Sequence, residues 1–480
     1  MKKVLVFLVL VGAIAAFLYF PRTAAVVSAA NAATLAVLNT AVEGSRAGSS
    51  FAPALDGEVY STGDLIRANA DGRAVLTFFD GTTLSMDPGS QVKVVTLNHL
   101  PADGIQVSIE QALGRSWSAV QKLKTPDSRY EVKTPSSNAV VRGTAFDTLV
   151  QRLPNGNTET TYRVDEGALQ VTASAGGTVT VPAGAQVTIA EGAPAPVSPV
   201  PIASTSRVEI TGSAGLGFLA VAPTGQSCGP MGGKAEIFGC IAAANKITVR
   251  EPVAGRWGLA LTSAAALAGA TITVEAFVGA ARQAVRAFSR AFNANELVRT
   301  GLTLSAGPPL ALSAFEDPLL VTSVCAATAP GRVFGGGAPN ARLDVVRTFA
   351  RENKNLPVSL VFTEADLNQA GPTSVGGDQG LRISGQKVTI DAAGVHGTAT
   401  AALPFVTVTA SADFIGGPVG GKFSLRLARL SAESLPPGLV DAVRSLADVG
   451  TVGLGESIPF QVRQVSFRAG CFFLSGMTPP

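Results

Sequence analysis

The sequence predicts a mainly β protein of several domains. Three observations carry this: short runs alternate apolar with polar residues, Asp-Gly pairs punctuate them, and convincing helical periodicity is scarce. The chain has 480 residues, too many for one ordinary domain. Of these 46% are hydrophobic and 15% charged, with 52 Gly and 29 Pro, a mix that favours strands and turns over long helices. The expected order is an N-terminal export signal or membrane anchor, an all-β domain, a small β-sandwich and a C-terminal α+β domain.

The N-terminus sets the expected compartment. Lys2 and Lys3 precede the uncharged apolar run Val4–Phe20. Such a run is either a cleaved signal or a single retained anchor, and residues 1–33 are assigned to it. The small residues Ser28–Ala33 suit a cleavage site. The chain beyond it is then exported, membrane-anchored or secreted, with its bulk outside the cytoplasm. Four cysteines, Cys228, Cys240, Cys325 and Cys471, fit disulfides there. Pairing within domains favours Cys228–Cys240 and Cys325–Cys471. No CxxC or nearby His suggests zinc.

Residues 35–192 form the first β domain. Leu55–Tyr60, Gly63–Arg67, Asp71–Asp87 and Ser90–Leu97 alternate, with Asp56-Gly57, Asp71-Gly72 and Asp80-Gly81 between or within them as hairpin signals. Ile105–Glu110, Arg129–Thr134, Thr160–Val164, Ala168–Ala173 and Thr178–Ala183 follow, giving roughly ten strands in a sandwich or a β-helix-like roll. Residues 193–205 are a proline-rich linker. A sandwich-like domain occupies 206–305, with Trp257 as core. Gly307-Pro308-Pro309 marks a break before the α+β domain, 310–475. There Leu356–Phe362 reads as a strand, Thr363 as a helix N-cap, and 437–448 as an amphipathic helix with Leu439, Val440, Val443 and Leu446 on one face.

In the first domain Val59–Arg67 (VYSTGDLIR), Asp71–Met86, Gly114–Val120 (GRSWSAV), Tyr130–Asp147 and Val164–Val171 recur in order over about 130 residues. This pattern resembles the FecR domain of bacterial envelope proteins. The motif residues are Gly63, Asp64, Asp80, Gly81, Arg142, Gly143, Thr144, Phe146, Glu166 and Gly167, all read as structural. The resemblance places Arg142-Gly143-Thr144 at a strand end where the chain turns back. Gly143 then permits a bulge or a close backbone approach, Thr144 bonds freed backbone groups, and Arg142 either pairs with a carboxylate such as Asp147, Asp165 or Glu166 or contacts a ligand. Known members are transmembrane regulators of iron uptake whose cytoplasmic segment holds a sigma factor. With only three residues before the apolar run, that role is not expected here. The C-terminal region is faintly similar to envelope lipid-binding proteins, through Phe362–Asn368 and Val388–Gly397.

Chemistry is sparse. His99 at a strand end and His396 in a turn lie near no nucleophile motif. The glycine runs at 335–337 and 376–377 lack a phosphate-loop Lys. Asp64, Asp71, Asp80 and Asp87 could suggest calcium but sit where turns want Asp. No catalytic, cofactor-binding or metal residues are assigned. The sequence reads as a non-enzymatic envelope module for binding, sensing or scaffolding. Its expected partners are the membrane, through the N-terminal segment, and an unknown envelope protein, glycan or lipid. No basic run supports nucleic acid. The alternative is a lipid carrier using 310–475.

Overall fold

The computed structural model describes residues 32–480 except 40, 101–103, 142, 204–205, 232–233, 337, 369–372, 376–380, 393, 404–405, 420, 433–451 and 454–457. The apolar run Val4–Phe20, Arg142 and the segment 437–448 therefore lie outside the described residues. Among those described, no helix is long and apolar enough to cross a membrane. The chain divides into two compact units: residues 29–54 with 59–322, and residues 55–58 with 323–480.

The larger unit begins with β1 (Ala33–Asn39), β2 (Val42–Ser45), β3 (Ala52–Pro53), β4 (Glu58–Tyr60), β5 (Leu65–Ala68), β6 (Arg73–Phe78), β7 (Thr83–Met86) and β8 (Gln91–Leu100). Next come β9 (Gly104–Ala119), β10 (Arg129–Lys133), β11 (Ser137–Val141), β12 (Ala145–Arg152), β13 (Thr158–Glu166), β14 (Ala168–Ala173), β15 (Thr178–Pro182) and β16 (Ala185–Ala190). They build two layers. In one, β1, β6, β7, the second half of β9, β12, β13 and β16 lie side by side. In the other the order is β3, β2, β5, β8, the first half of β9, β10, β11, β14, β15. We call these the first and second layers. Apart from β3 at the edge, both orders follow the chain, so the domain is a roll whose chain passes repeatedly from layer to layer. Leu35, Leu76, Leu84 and Phe146 from one layer meet Ile66, Val94, Val107 and Val171 from the other in a buried core, at about 25 cal/mol per Å² of apolar surface removed from water.

The crossings dictate the glycines. β9 belongs to both layers and changes over at Gly114, whose φ is 85°. A Cβ there would lie 2.4 Å from the Cα of Ser90, a clash that no rotamer relieves. Buried Gln111 holds the bend: its amide donates to the carbonyls of Gly114 (2.8 Å) and Thr148 (3.1 Å), and Ser116 Oγ donates to its carbonyl (2.6 Å). β11 lies in the second layer and β12 in the first, so the chain crosses between Val141 and Ala145. β13 and β14 cross back at Gly167. There φ is 89° at Gly143 and 77° at Gly167, and a Cβ on Gly167 would stand 2.7 Å from the Gly143 carbonyl oxygen. Thr144 Oγ1 donates to the Ala168 carbonyl (3.0 Å), and the Thr144 carbonyl accepts from the Val120 amide (3.0 Å). Gly143 and Thr144, the described part of the interruption in an apolar stretch, thus belong to a layer crossing.

Only one of the three Asp-Gly pairs makes the expected kind of hairpin. Asp80-Gly81 joins paired β6 and β7, with Asp80 accepting from the Thr82 amide (3.0 Å) and hydroxyl (2.7 Å). Asp71-Gly72 joins β5 and β6, which lie in different layers, so it is a corner. Asp56-Gly57 belongs to the other unit, where Phe467 N donates to Asp56 Oδ2 (3.3 Å).

The larger unit continues with two antiparallel sheets packed face to face. The five-stranded one runs Cys240–Ala242, Lys246–Arg250, Ser206–Gly212, Leu267–Val278, Ala281–Phe292. The six-stranded one is centred on Gly217–Val221, Gly255–Thr262 and Leu297–Leu304. Trp257 is buried between them, its indole N–H donating to Val253 O (2.9 Å). Leu310 and Leu312 belong to the same core, so packing continues past the Gly307 break. Cys228 and Cys240 form a disulfide.

In the smaller unit a four-stranded sheet orders Arg332–Phe334, Pro357–Thr363, Cys471–Met477 and Gln461–Arg468. Beside it is a six-stranded antiparallel sheet spanning 373–453, with four long central strands and a short one at each edge. Phe472 stacks on Phe362 (5.1 Å between centroids) and Phe423 (6.0 Å), joining the two sheets. The helix Glu364–Asn368 starts as expected at Thr363, in a reciprocal cap: Asp366 N donates to Thr363 Oγ1 and Thr363 N to Asp366 Oδ2. Asp366 also pairs with buried Arg342 at 3.0 Å. The second disulfide, Cys325–Cys471, ties the two ends of this unit.

Replacing Gly114 by Ala should lower the unfolding free energy by about 2–4 kcal/mol, since both its φ and its missing Cβ are used. Urea titration of the full chain followed by tryptophan fluorescence checks this. An unchanged midpoint would show that the crossing relaxes freely.

Candidate functional site

The chemically dense region lies on the outer face of the first layer. β-strand register aligns Ser85, Trp117, Asp147, Arg163 and Gln186 in one row across β7, β9, β12, β13 and β16. Outward positions of a sandwich normally meet water, yet Ser85 and Trp117 are fully buried and Asp147 is 1% exposed. The sandwich of the same unit covers them. Trp117 Nε1 donates to Ala235 O (2.9 Å) and Ser85 Oγ to Glu236 O (2.6 Å). The Arg115 guanidinium sits 4.8 Å from the Phe238 ring centroid. Ala235, Glu236 and Phe238 all lie in the loop closed by Cys228–Cys240.

Charge organises the other end of the row. Arg250 grips Asp165 with two bonds, Nε to Oδ1 (2.8 Å) and Nη2 to Oδ2 (2.7 Å), and reaches Asp147 at 3.4 Å. Arg115 meets Asp147 at 2.7 Å. Glu251, at φ 51°, bridges Arg163 (3.2 Å) and Arg250 (3.4 Å). Burial opposes the charge on Arg250. Hydrogen bonds to Asp165 and the charges of Asp165, Asp147 and Glu251 outweigh it, raising the arginine pKa further above its ordinary value. The carboxylates of Asp147 and Asp165 are held by Arg115 and Arg250; the expected pairing of Arg142 lies outside the described residues.

The sequence-predicted motif residues do not converge on one site. Gly63 donates to Val94 O (2.8 Å) beside Asp64, which accepts from Ser61 N (2.8 Å) and Ala47 N (3.0 Å) in the β4–β5 turn. Asp80 and Gly81 make the β6–β7 hairpin. Gly143, Thr144 and Gly167 come together at the crossing, Phe146 is core, and Glu166 is exposed at the bulge opposite Ala145. Asp87 pairs with Arg73 (3.1 Å). Among the described residues no group of three or more His, Cys, Asp or Glu is arranged to hold a metal.

The sequence reading missed Arg115, Trp117, Arg163 and Arg250 as a set. A signal existed: in Ser116–Val120 the alternation puts serines inward and the tryptophan outward, the reverse of a solvated face.

His396 is not in a turn. It lies within the strand Gly394–Leu403, opposite Thr389 and Asp413. Its Nδ1 is 2.8 Å from Asp413 Oδ1 and its Nε2 2.9 Å from Asp391 Oδ1. Burial works against its charge, but bonds to Asp391 and Asp413 and their charges prevail, and its pKa is raised from 6.5. Both ring nitrogens are thus committed to carboxylates. His99, near the end of β8, packs its ring 5.6 Å from that of Phe79.

The fold and this face define a two-layer β domain backed by a second β domain. Residues 64–176 match the family model described as FecR protein, and this stretch, from β5 to the end of β14, is a FecR domain. No curated protein matches the chain. Two crystal structures of a protein assigned as an anti-sigma factor from Parabacteroides distasonis ATCC 8503 are similar over 27% of this chain, at 16% and 17% identity and TM-scores of 0.23 and 0.22. The similar stretch spans 56% of those chains.

Arg250→Ala should cost about 3 kcal/mol of stability, because it strands a buried carboxylate. Adding Asp165→Asn should recover much of the loss, which a denaturant series on both variants measures. The His396 contribution has the opposite pH sense from a carboxylate. With its folded pKa raised, its stabilisation is full below pH 6.5 and fades as pH rises through the folded value. His396→Asn should flatten stability against pH across that window.

Proposed function

We propose that the protein is a non-enzymatic, extracytoplasmic module of the cell envelope, acting in sensing or scaffolding through its FecR domain. The observation that carries this reading is the FecR domain at residues 64–176, built as a two-layer roll and joined to a disulfide-bearing sandwich. Two disulfides fit an oxidising compartment. The polar side chains of the dense face are spent on holding the roll against the sandwich. A partner then meets the second layer, where Arg129, Lys133, Gln170, Thr172 and Thr180 are exposed.

Two measurements test the proposal. A reporter that is active only outside the cytoplasm, fused after residue 480, should be active; an inactive reporter on a stable fusion removes the extracytoplasmic assignment. In the full chain, a photo-crosslinker at Thr180 should capture a discrete envelope protein, and one at Asp344 should not. The C-terminal unit, whose six-stranded sheet has four long strands, carries the other reading, a lipid carrier. Native mass spectrometry of the exported full chain decides between them: an acyl lipid co-purifying in fixed ratio would move the function to that unit.

A further inference from the structure

The five-stranded sheet ends in two unlike edges. One is the three-residue strand Cys240–Ala242, fastened by its disulfide. The other is Ala281–Phe292, twelve residues bonded to Leu267–Val278 on one side. On its other side no backbone hydrogen bond is made among the described residues. A long edge of this kind is a template for another strand, and folded proteins commonly blunt it with proline, a short length, a bulge or charged side chains. Here the strand is long and has no proline; what guards it is a bulge near Arg282 and the charge of its arginines, which turns away a basic strand but not an acidic one.

Its side chains specify what can pair with it. The strand has three charges, Arg282, Arg286 and Arg290, and no acid. A register shift at Ala276/Phe277 sends Arg282 to one face, where it bonds Glu275 (2.8 Å). Arg286 and Arg290 share the other face, opposite Val274 and Ala270, with Phe288 between them. Phe288 is half-buried against Phe315, with centroids 5.7 Å apart. Arg290 bonds Glu296. Arg286 is exposed and, among the described residues, donates only to its neighbour's carbonyl, Val285 O (2.9 Å).

We propose that this edge receives an extended acidic segment of a partner protein as an added antiparallel strand. Side chains on one face of a strand recur every second residue. The segment therefore carries carboxylates at i and i+4, opposite Arg286 and Arg290, and an apolar residue at i+2 over Phe288. A second copy of this chain is the poorer occupant. In the central same-face registers, pairing edge to edge sets Arg286 opposite or diagonal to an arginine of the other copy.

The test uses the full chain and fluorescein-labelled nonapeptides of threonine and valine. One has Glu at positions 3 and 7 and Val at 5; its isomer has Glu at 3 and 6. Anisotropy should show the first binding about tenfold more tightly or better. Arg286→Glu should abolish that preference while leaving the near-ultraviolet circular dichroism unchanged. Of two N-methylated versions of the first peptide, one for each set of alternate residues, only one should bind, since only one set of amides faces the edge. Equal binding of the isomers, equal loss with both N-methylated peptides, or indifference to Arg286→Glu would overturn the proposal. So would sedimentation showing a dimer of the chain that the peptide disperses, because the edge would then serve self-association.

Discussion

Everything in the FecR domain depends on the chain changing layers without losing its core. Each passage needs backbone that turns sharply while main chain from a neighbouring passage lies within van der Waals distance. At Gly114 the obstacle is Ser90, and at Gly167 it is the carbonyl of Gly143. The crossings therefore support one another: the glycine of one makes room for the backbone of the next. The side chains nearby complete the arrangement, Gln111 bonding the carbonyls at one bend and Thr144 those at the other. Without these crossings the alternating strands would have no reason to face one core.

Much of this was legible in the sequence, for a physical reason. Alternation with period two reports which side of a strand meets the core, and β10, β13, β14 and β15 lie close to where the pattern put them. The same signal says nothing about which layer a strand joins, so Asp71-Gly72 looked like a hairpin and is a corner. It fails again where both faces of a strand are half-exposed, as in Ala281–Phe292, whose mixed pattern has no clean period. His396 was misplaced because a glycine before it suggested a turn, whereas that glycine, Gly394, already pairs with Asp391 at the start of the strand. The charged face was hidden for another reason. Arg250 and Asp165 are 85 residues apart in the chain, and local pattern does not report a contact at that distance.

The covered outer face changes how the domain is to be understood. Its Trp117 and Asp147 stand at outward positions of the FecR motif. In an isolated roll they would meet water; in this chain the sandwich receives them. Roll and sandwich thereby bury a set of charges that would be costly singly and are tolerable together. The long free edge of the sandwich lies on its five-stranded sheet, the sheet that also supplies Arg250. One sheet thus carries both the clamp to the FecR domain and an open strand.

The Cys325–Cys471 bond encloses a sequence separation of 146 residues. Under mechanical tension applied to the ends of the chain, the covalent bond would carry the load across that loop. Fully drawn out, the enclosed stretch would span roughly 500 Å, and none of that length can be released while the bond is intact. Under load, then, this unit behaves as a fixed link of about the 6.0 Å that separates the two Cα atoms, and extension must come from elsewhere in the chain.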